Sequence, residues 1–200
     1  MELGRRQALA DAADPPPVHL DARSVLAGYG GPEPDQRALA YALVSYLDAR
    51  PDATRRSCRP GHLTAGAVVL DPAGERVLLT LHPRVGAWVQ LGGHVEQSDP
   101  TLAAAAAREA AEESGIADLL VDPAPLHLDV HPVTCSLGVP TRHLDVRYLA
   151  VAPAGSQPVR SAESDDLRWF PVDRLPDAVA ADVPGLISRG LARLAAARPS

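Results

Sequence analysis

Three glutamates crowd the C-terminal half of one predicted helix, in the segment Arg108-Glu109-Ala110-Ala111-Glu112-Glu113-Ser114-Gly115-Ile116. At 100° per residue, Glu109, Glu112 and Glu113 share one helix face. The helix dipole favours cations at this end, and Glu109 and Glu113 form a like-charge pair that costs ~0.2–0.5 kcal/mol. Such a conflict with local preferences is typical of a functional site. A hard divalent cation such as Mg²⁺, which prefers oxygen ligands, would remove the repulsion.

A solvated acidic helix end is the alternative interpretation of these glutamates. The pair Gly92-Gly93 upstream favours the metal site. A strand, a Gly-Gly corner and an acidic helix together bring backbone carbonyls and carboxylates into one pocket.

The helix that carries the glutamates is predicted over about 100–114. Ser98 or Asp99 is a suitable N-cap, Pro100 suits the first turn and Gly115 suits the end. The opposite face is smooth enough to sit close against a sheet, since it carries Ala103, Ala107, Ala110 and Ala111.

Short apolar runs predict strands on both sides of this helix. Residues 67–70 and 76–81 predict a hairpin, and residues 88–91 predict a third strand that ends at Gly92-Gly93. Later strands are expected at 126–130, 143–151 and 167–170, with a closing helix at 184–197. This order predicts an α/β sandwich with a central mixed sheet.

The N-terminal part differs from the rest. Residues 1–17 end in three prolines and suggest a loose arm, and residues 35–49 predict a helix with an apolar stripe of Leu39, Leu43, Tyr46 and Leu47. We therefore expect a helical extension and connector over 1–60 and the main domain over 61–200. The stripe suits a homodimer interface and packing within one chain equally well.

Composition narrows the function. The net charge is −6, which disfavours binding to nucleic acid polymers or anionic membranes. All 19 basic residues are Arg, which excludes a Schiff-base lysine and a Walker-type phosphate loop. No signal core or apolar run of ~20 residues is evident, so we expect a cytoplasmic protein. Cys58 and Cys135 are expected to be free thiols rather than a disulfide.

The glycine pair and the glutamates together resemble the Nudix hydrolase signature. In that signature a Gly is followed by five residues, a Glu, seven residues and then Arg-Glu-apolar-x-Glu-Glu-x-Gly-apolar. Here Gly93 is followed by five residues and Asp99, then by eight residues, and 108–116 match every specified position. The chain thus has one extra residue and an Asp in place of Glu. The likeness extends over about 64–197.

The resemblance implies a Nudix-type α/β/α sandwich and Mg²⁺-dependent hydrolysis, with Mn²⁺ as a substitute cation. The substrate would be a small molecule with a diphosphate linkage, either a nucleoside triphosphate or a nucleoside diphosphate-linked compound. Glu109 and Glu113 would be the principal metal ligands, with Glu112 a third ligand or a partner through water.

The resemblance also implies supporting roles at the site. The carbonyl of Gly92 or Gly93 would complete the metal shell, and Arg108 would hold a glutamate by a charge-assisted hydrogen bond. The catalytic set would then be Glu109, Arg108 and Glu112. The general base varies within the family, and four acids are candidates here: Glu163, Asp165, Asp166 and Asp145.

Four further residues are candidates for substrate binding: Arg84, Trp88, His94 and Glu96. Glu96 could also be an outer metal ligand. For Arg84 the alternative is an exposed surface arginine, and for His94 it is a half-buried histidine bonded to the backbone.

His127, Asp129, His131, His143 and Asp145 alternate at strand spacing. They could hold a metal, but polar positions on one strand face are the favoured interpretation. An isomerase acting on isopentenyl diphosphate, which would use a reactive Cys, and a non-catalytic nucleotide sensor are the alternative functions. The intact acidic segment argues against both.

Overall fold

The computed structural model describes residues 15–134, 138 and 140–197. Its four helices are α1 (Pro17–Ala27), α2 (Pro34–Ala49), α3 (Leu102–Ser114) and α4 (Val183–Ala196). Its strands are β1 (His62–Leu70), β2 (Arg76–His82), β3 (Ala87–Val89), β4 (Leu91–His94), β5 (Leu120–Val121), β6 (His127–Thr134), β7 (Pro140–Val151) and β8 (Asp166–Pro171). None of the described helices is long and apolar enough to cross a bilayer.

All eight strands belong to one sheet built around β1. β1 and β7 run parallel, while β1 pairs antiparallel with β2 and β4. β3 and β8 extend the sheet beyond β2, and β5 and β6 pair with β7. The predicted mixed sheet is confirmed, and the α/β fold class with it.

Every residue of β1 is buried, although successive side chains point to opposite faces of the sheet. Both faces of the sheet are therefore covered. Leu63 and Ala65 belong to the core cluster that contains side chains from α1, α2 and α3. Val68 and Leu70 belong to the cluster beneath α4. The sheet is therefore the middle layer, and α3 is held between it and the N-terminal helices.

The N-terminal helices are joined to the main domain by polar contacts as well as by the shared core. Oδ2 of Asp21 in α1 accepts a hydrogen bond from the Leu102 N–H at the start of α3, at 2.8 Å. The Gln36 amide of α2 donates to the Leu128 carbonyl at 3.0 Å and accepts from the Leu128 N–H at 2.8 Å. α1 was not predicted as a separate helix, and the boundary at residue 60 stays a prediction.

Two local predictions were wrong. The third predicted strand does not end at the glycines, because Gly92 and Gly93 lie inside β4 and pair with Gly66 and Ala65 of β1. The N-cap of α3 is neither Ser98 nor Asp99 but Thr101, whose hydroxyl accepts a hydrogen bond from the Ala104 N–H at 3.0 Å.

Candidate active site

The position of the glutamates depends on where α3 begins and ends and on which of its faces is buried. Thr101 caps its start, and Gly115 adopts a left-handed conformation with φ 68° that ends it. The buried face carries Ala105, Ala106, Ala110, Glu113 and Ser114, so it is rotated from the alanine face predicted from the sequence. Because small alanines let the helix approach the sheet closely, Glu113 is carried into the protein with only 8% of its surface exposed.

The glycine pair receives both inward-pointing glutamates. A Cβ atom on Gly93 would lie 2.5 Å from Oε2 of Glu109, so a larger residue here would displace this carboxylate. The Gly92 N–H donates a hydrogen bond to Oε2 of Glu113 at 3.0 Å. The sequence prediction that the glycines and the acidic helix meet is confirmed for Glu109 and Glu113.

Burial of these two carboxylates is only weakly compensated. Burial raises the pKa of Glu113 to about 7, and the charged groups that act most strongly on it, Glu109, Glu163 and Glu112, are all acidic. Burial also raises the pKa of Glu109, although the guanidinium of Arg108 acts in the opposite direction. A divalent cation would supply the missing positive charge, so this donor set fits a metal of the Mg²⁺ class.

Arg108 ties the loop before α3 to the helix. Its Nε and Nη2 donate to the two carboxylate oxygens of Asp99, each at 3.0 Å. Nη1 donates to Glu109 at 2.9 Å and to Glu112 at 3.2 Å, and Nη2 also donates to the His94 carbonyl at 3.0 Å. These carboxylates raise the pKa of the guanidinium further. Asp99 and Arg108 therefore form a two-pronged ion pair between the loop and the helix.

Other predicted site residues lie farther out. The side chain of Glu112 is 60% exposed, and Glu96 is also exposed, accepting a hydrogen bond from the Ser98 hydroxyl at 3.2 Å. Arg84 lies on the exposed β2–β3 turn. Trp88 is buried, and its ring packs edge-on against Phe170 at 4.7 Å. The roles assigned to these residues stay predictions.

The four candidate bases occupy different places. Glu163 is among the charged groups that raise the pKa of both Glu109 and Glu113. Asp145 is instead held by the Thr64 hydroxyl at 3.1 Å and by Arg147 at 2.7 Å. Asp166 pairs with Arg168 at 2.5 Å. Both Asp165 and Glu163 act on the pKa of His82. The choice of general base stays a prediction.

The predicted polar strand face exists, with Asp129 opposite Asp145 and His131 opposite His143 across β6 and β7. Arg147 is buried there and binds Asp129, Asp145 and Asp182 at 3.3, 2.7 and 2.6 Å. The sequence analysis did not predict that His143 lies together with His62 and His94, because these two histidines belong to other strands. His62 lies beside His143 in the parallel ladder, a pairing that the sequence could not reveal.

Cys58 is a buried free thiol, as expected, and its Sγ lies 3.4 Å from the Tyr46 hydroxyl. Cys135, which the isomerase alternative would use, lies outside the described residues. An open cavity of about 580 Å³ lies between residues 54–57, which include Arg55 and Arg56, and residues 95–98.

Comparisons with known proteins agree with this architecture. The family model of the NUDIX domain matches residues 60–189. A NUDIX-family hydrolase from Clostridium perfringens is 21% identical, with a TM-score of 0.53 over 68% of this chain and 98% of the other. An E. coli dihydroneopterin triphosphate pyrophosphohydrolase is 20% identical, with a TM-score of 0.54 over 68% and 97%.

A C. elegans Ap4A hydrolase is 23% identical, with a TM-score of 0.52 over 67% of this chain and 98% of the other. These structural likenesses concern the fold. A comparison with curated protein sequences finds no significant match.

Proposed function

Because the chain belongs to the NUDIX family of hydrolases, we propose that it cleaves a diphosphate linkage in a nucleotide-like substrate with the help of Mg²⁺. The observation that carries this proposal is the pair of buried carboxylates of Glu109 and Glu113, which pack against Gly92 and Gly93 while Arg108 donates a hydrogen bond to Glu109. A structural role alone would not favour two buried carboxylates with raised pKa values.

Glu109 and Glu113 would hold the cation, with Glu112 at the exposed side and the backbone of the glycine pair completing the shell. The bound cation would neutralise phosphate oxygens and lower the pKa of an attacking water. Mn²⁺ would serve as a substitute, since it accepts the same oxygen ligands.

The chain's own residues supply positioning and proton transfer. Arg108 fixes the carboxylate of Glu109 while it anchors the preceding loop through Asp99. Glu163 would take the proton from the attacking water, because it is the candidate acid whose charge acts on the pKa of both Glu109 and Glu113.

The test is a panel of diphosphate compounds assayed with Mg²⁺: ADP-ribose, nucleotide sugars, nucleoside triphosphates, dinucleoside polyphosphates and prenyl diphosphates. For the compound that turns over, Glu113→Gln should lower kcat by at least about 100-fold, because it removes a charged metal ligand while keeping the side-chain shape. The matched control is Glu75→Gln, at an exposed turn, which should leave kcat unchanged.

Three outcomes would contradict the proposal. Full activity of Glu113→Gln would remove its metal role. A rearranged double bond without phosphate release would indicate the isomerase. Tight nucleotide binding without turnover would indicate a sensor.

A further inference from the structure

Three histidines from three neighbouring strands form a compact group apart from the glutamates. They are His62 of β1, His94 of β4 and His143 of β7, here called the histidine triad. Their ring centroids are 5.1 Å apart for His62–His94 and 5.2 Å apart for the two other pairs. β1 lies between the other two strands, so the sheet itself fixes this near-equilateral arrangement.

The triad faces away from the glutamates. Side chains alternate along a strand, and the missing Cβ of Gly93 points toward Glu109. The next residue, His94, therefore points to the other face of β4. His143, Asp145 and Arg147 share the corresponding face of β7. The triad is thus a separate cluster, although its residue His94 directly follows Gly93.

Two ring nitrogens of the triad, one in His62 and one in His143, are buried without a hydrogen-bond partner among the described residues. Each is the Nε2 atom of its ring. His62 is only 1% exposed. A buried polar atom without a partner costs free energy, and native structures rarely leave one without a reason.

Burial favours the neutral imidazole at His62 and His143, and the neutral ring is the state that binds metals. Burial lowers the pKa of His143 to about 4, and the neighbouring His62 and His131 act in the same direction. Burial also lowers the pKa of His62. The group therefore suits a cation that accepts nitrogen lone pairs and does not suit an anion.

Nδ1 of His62 lies 3.4 Å from the Cys58 carbonyl oxygen. With the proton on Nδ1, the ring donates to that carbonyl and directs the Nε2 lone pair outward. A backbone carbonyl in this position is the usual orienting partner of a metal-bound histidine.

From the orphaned nitrogens and the three-strand geometry, we infer that the histidine triad is a second metal site, selective for a Zn²⁺-class transition metal. One candidate ligand nitrogen from each ring lies within 4.8 Å of the others. Tetrahedral Zn²⁺ with bonds of about 2.0–2.1 Å needs nitrogens about 3.3 Å apart. Side-chain rotations that move the ring nitrogens by roughly 1 Å would bring them to this separation.

Imidazole ligands select Zn²⁺, Co²⁺ or Cu²⁺ over Mg²⁺. Three protein ligands leave a fourth position for water or another small ligand. A metal there would also restrain the end of β4, which presents the glycine pair to Glu109.

The test uses the full chain carrying Glu109→Gln and Glu113→Gln, so that the acidic site cannot contribute. After chelator treatment, this variant should bind one Co²⁺ per chain with visible ligand-field absorption. Zn²⁺ should displace the Co²⁺, and excess Mg²⁺ should not. Zn²⁺ should also raise its Tm, because a ligand that binds only the folded state stabilises it.

Adding His143→Gln should weaken Co²⁺ affinity by at least about 100-fold and abolish the rise in Tm. The matched control is His127→Gln, a histidine on the same sheet face outside the triad, which should keep both properties. If His143→Gln does not fold, half-exposed His94→Gln replaces it.

Absence of Co²⁺ binding to the glutamate-free variant would overturn the proposal, as would binding that survives His143→Gln and His94→Gln. Neither result depends on hydrolysis, so the proposed function stands or falls separately.

Discussion

At the scale of single residues, Arg108 connects most of the polar groups at the site. It binds Asp99 through two parallel hydrogen bonds and reaches Glu109 with its remaining nitrogen. Asp99 is almost fully buried, with 5% of its surface exposed. Loss of its charge would remove one carboxylate partner from the partly buried guanidinium of Arg108 and release the loop before α3.

Asp99→Asn should therefore lower the free energy of unfolding by about 1–3 kcal/mol. It should also lower kcat, since Glu109 loses its fixed partner. Denaturant unfolding and steady-state kinetics check both effects. Asp118→Asn, at an exposed position, is the control and should change neither. An unchanged unfolding midpoint in Asp99→Asn would show that the ion pair contributes no stability.

Glu113 predicts an unusual dependence of stability on pH. Its pKa is about 7 in the folded protein against a usual value of 4.5. The folded state therefore holds a proton that the unfolded state has already released, so stability is lost as pH rises from about 4.5 to about 7. The loss reaches about 3 kcal/mol for this shift.

The measurement is the difference in free energy of unfolding between metal-free wild type and Glu113→Gln at several pH values. This difference should fall for wild type as pH rises through that window. Saturating Mg²⁺ should reverse the trend, because the cation binds the ionised carboxylate. A difference that is flat with pH would mean that Glu113 titrates normally.

At the scale of elements, Gly93 of β4 leaves the space that the Glu109 carboxylate of α3 occupies. Gly93→Ala would place a methyl group 2.5 Å from Oε2 of Glu109. The carboxylate must move, so kcat should fall by at least about 10-fold, and stability should fall by about 1–3 kcal/mol. Gly30→Ala is the matched control, because nothing lies within 4 Å of its added Cβ. Wild-type kcat in Gly93→Ala would show that this close approach is not needed.

The sequence predicted these elements better than their contacts. Local spacing identified α2, α3 and the strand pair β1–β2, because periodicity is a property of neighbouring residues. It placed the N-cap of α3 at Ser98 or Asp99, since it could not show that Asp99 is taken by Arg108. The glycines read as a corner because glycine usually interrupts strands, whereas here their lack of Cβ serves packing.

The candidate site shows the same division. Helical spacing placed Glu109 and Glu113 on one helix face, and the upstream pair Gly92-Gly93 favoured a site there. Glu112 shares their spacing, but α3 is rotated so that it faces solvent. The histidine triad depends on the pairing of β1 with β4 and β7, which joins residues 32 and 81 positions from His62. No local pattern carries that information.

At the scale of the whole molecule, the N-terminal helices complete the main core rather than standing apart. The side-chain amide of Gln36 hydrogen-bonds to both backbone groups of Leu128, as a neighbouring strand would. Gln36→Leu keeps the approximate volume but leaves the Leu128 N–H and carbonyl without these bonds. It should lower the free energy of unfolding by about 1–3 kcal/mol.

Thermal and denaturant unfolding check this expectation, with exposed Tyr41→Phe on the same helix as the control. One unfolding transition for Gln36→Leu, with the same midpoint by every spectroscopic probe, would indicate that the helices and the sheet unfold together. Separate transitions would instead support the predicted boundary at residue 60.

The side-chain amide of Gln36 also disfavours the addition of a strand from another molecule to the open edge of β6. Leu128 turns its backbone groups away from β7 toward α2, on the open side of β6, and Pro132 farther along that strand has no N–H to offer. A strand from another molecule would have to displace a glutamine and match a proline before it could add to this edge. We therefore expect fibril formation to begin elsewhere, or only after α2 has detached.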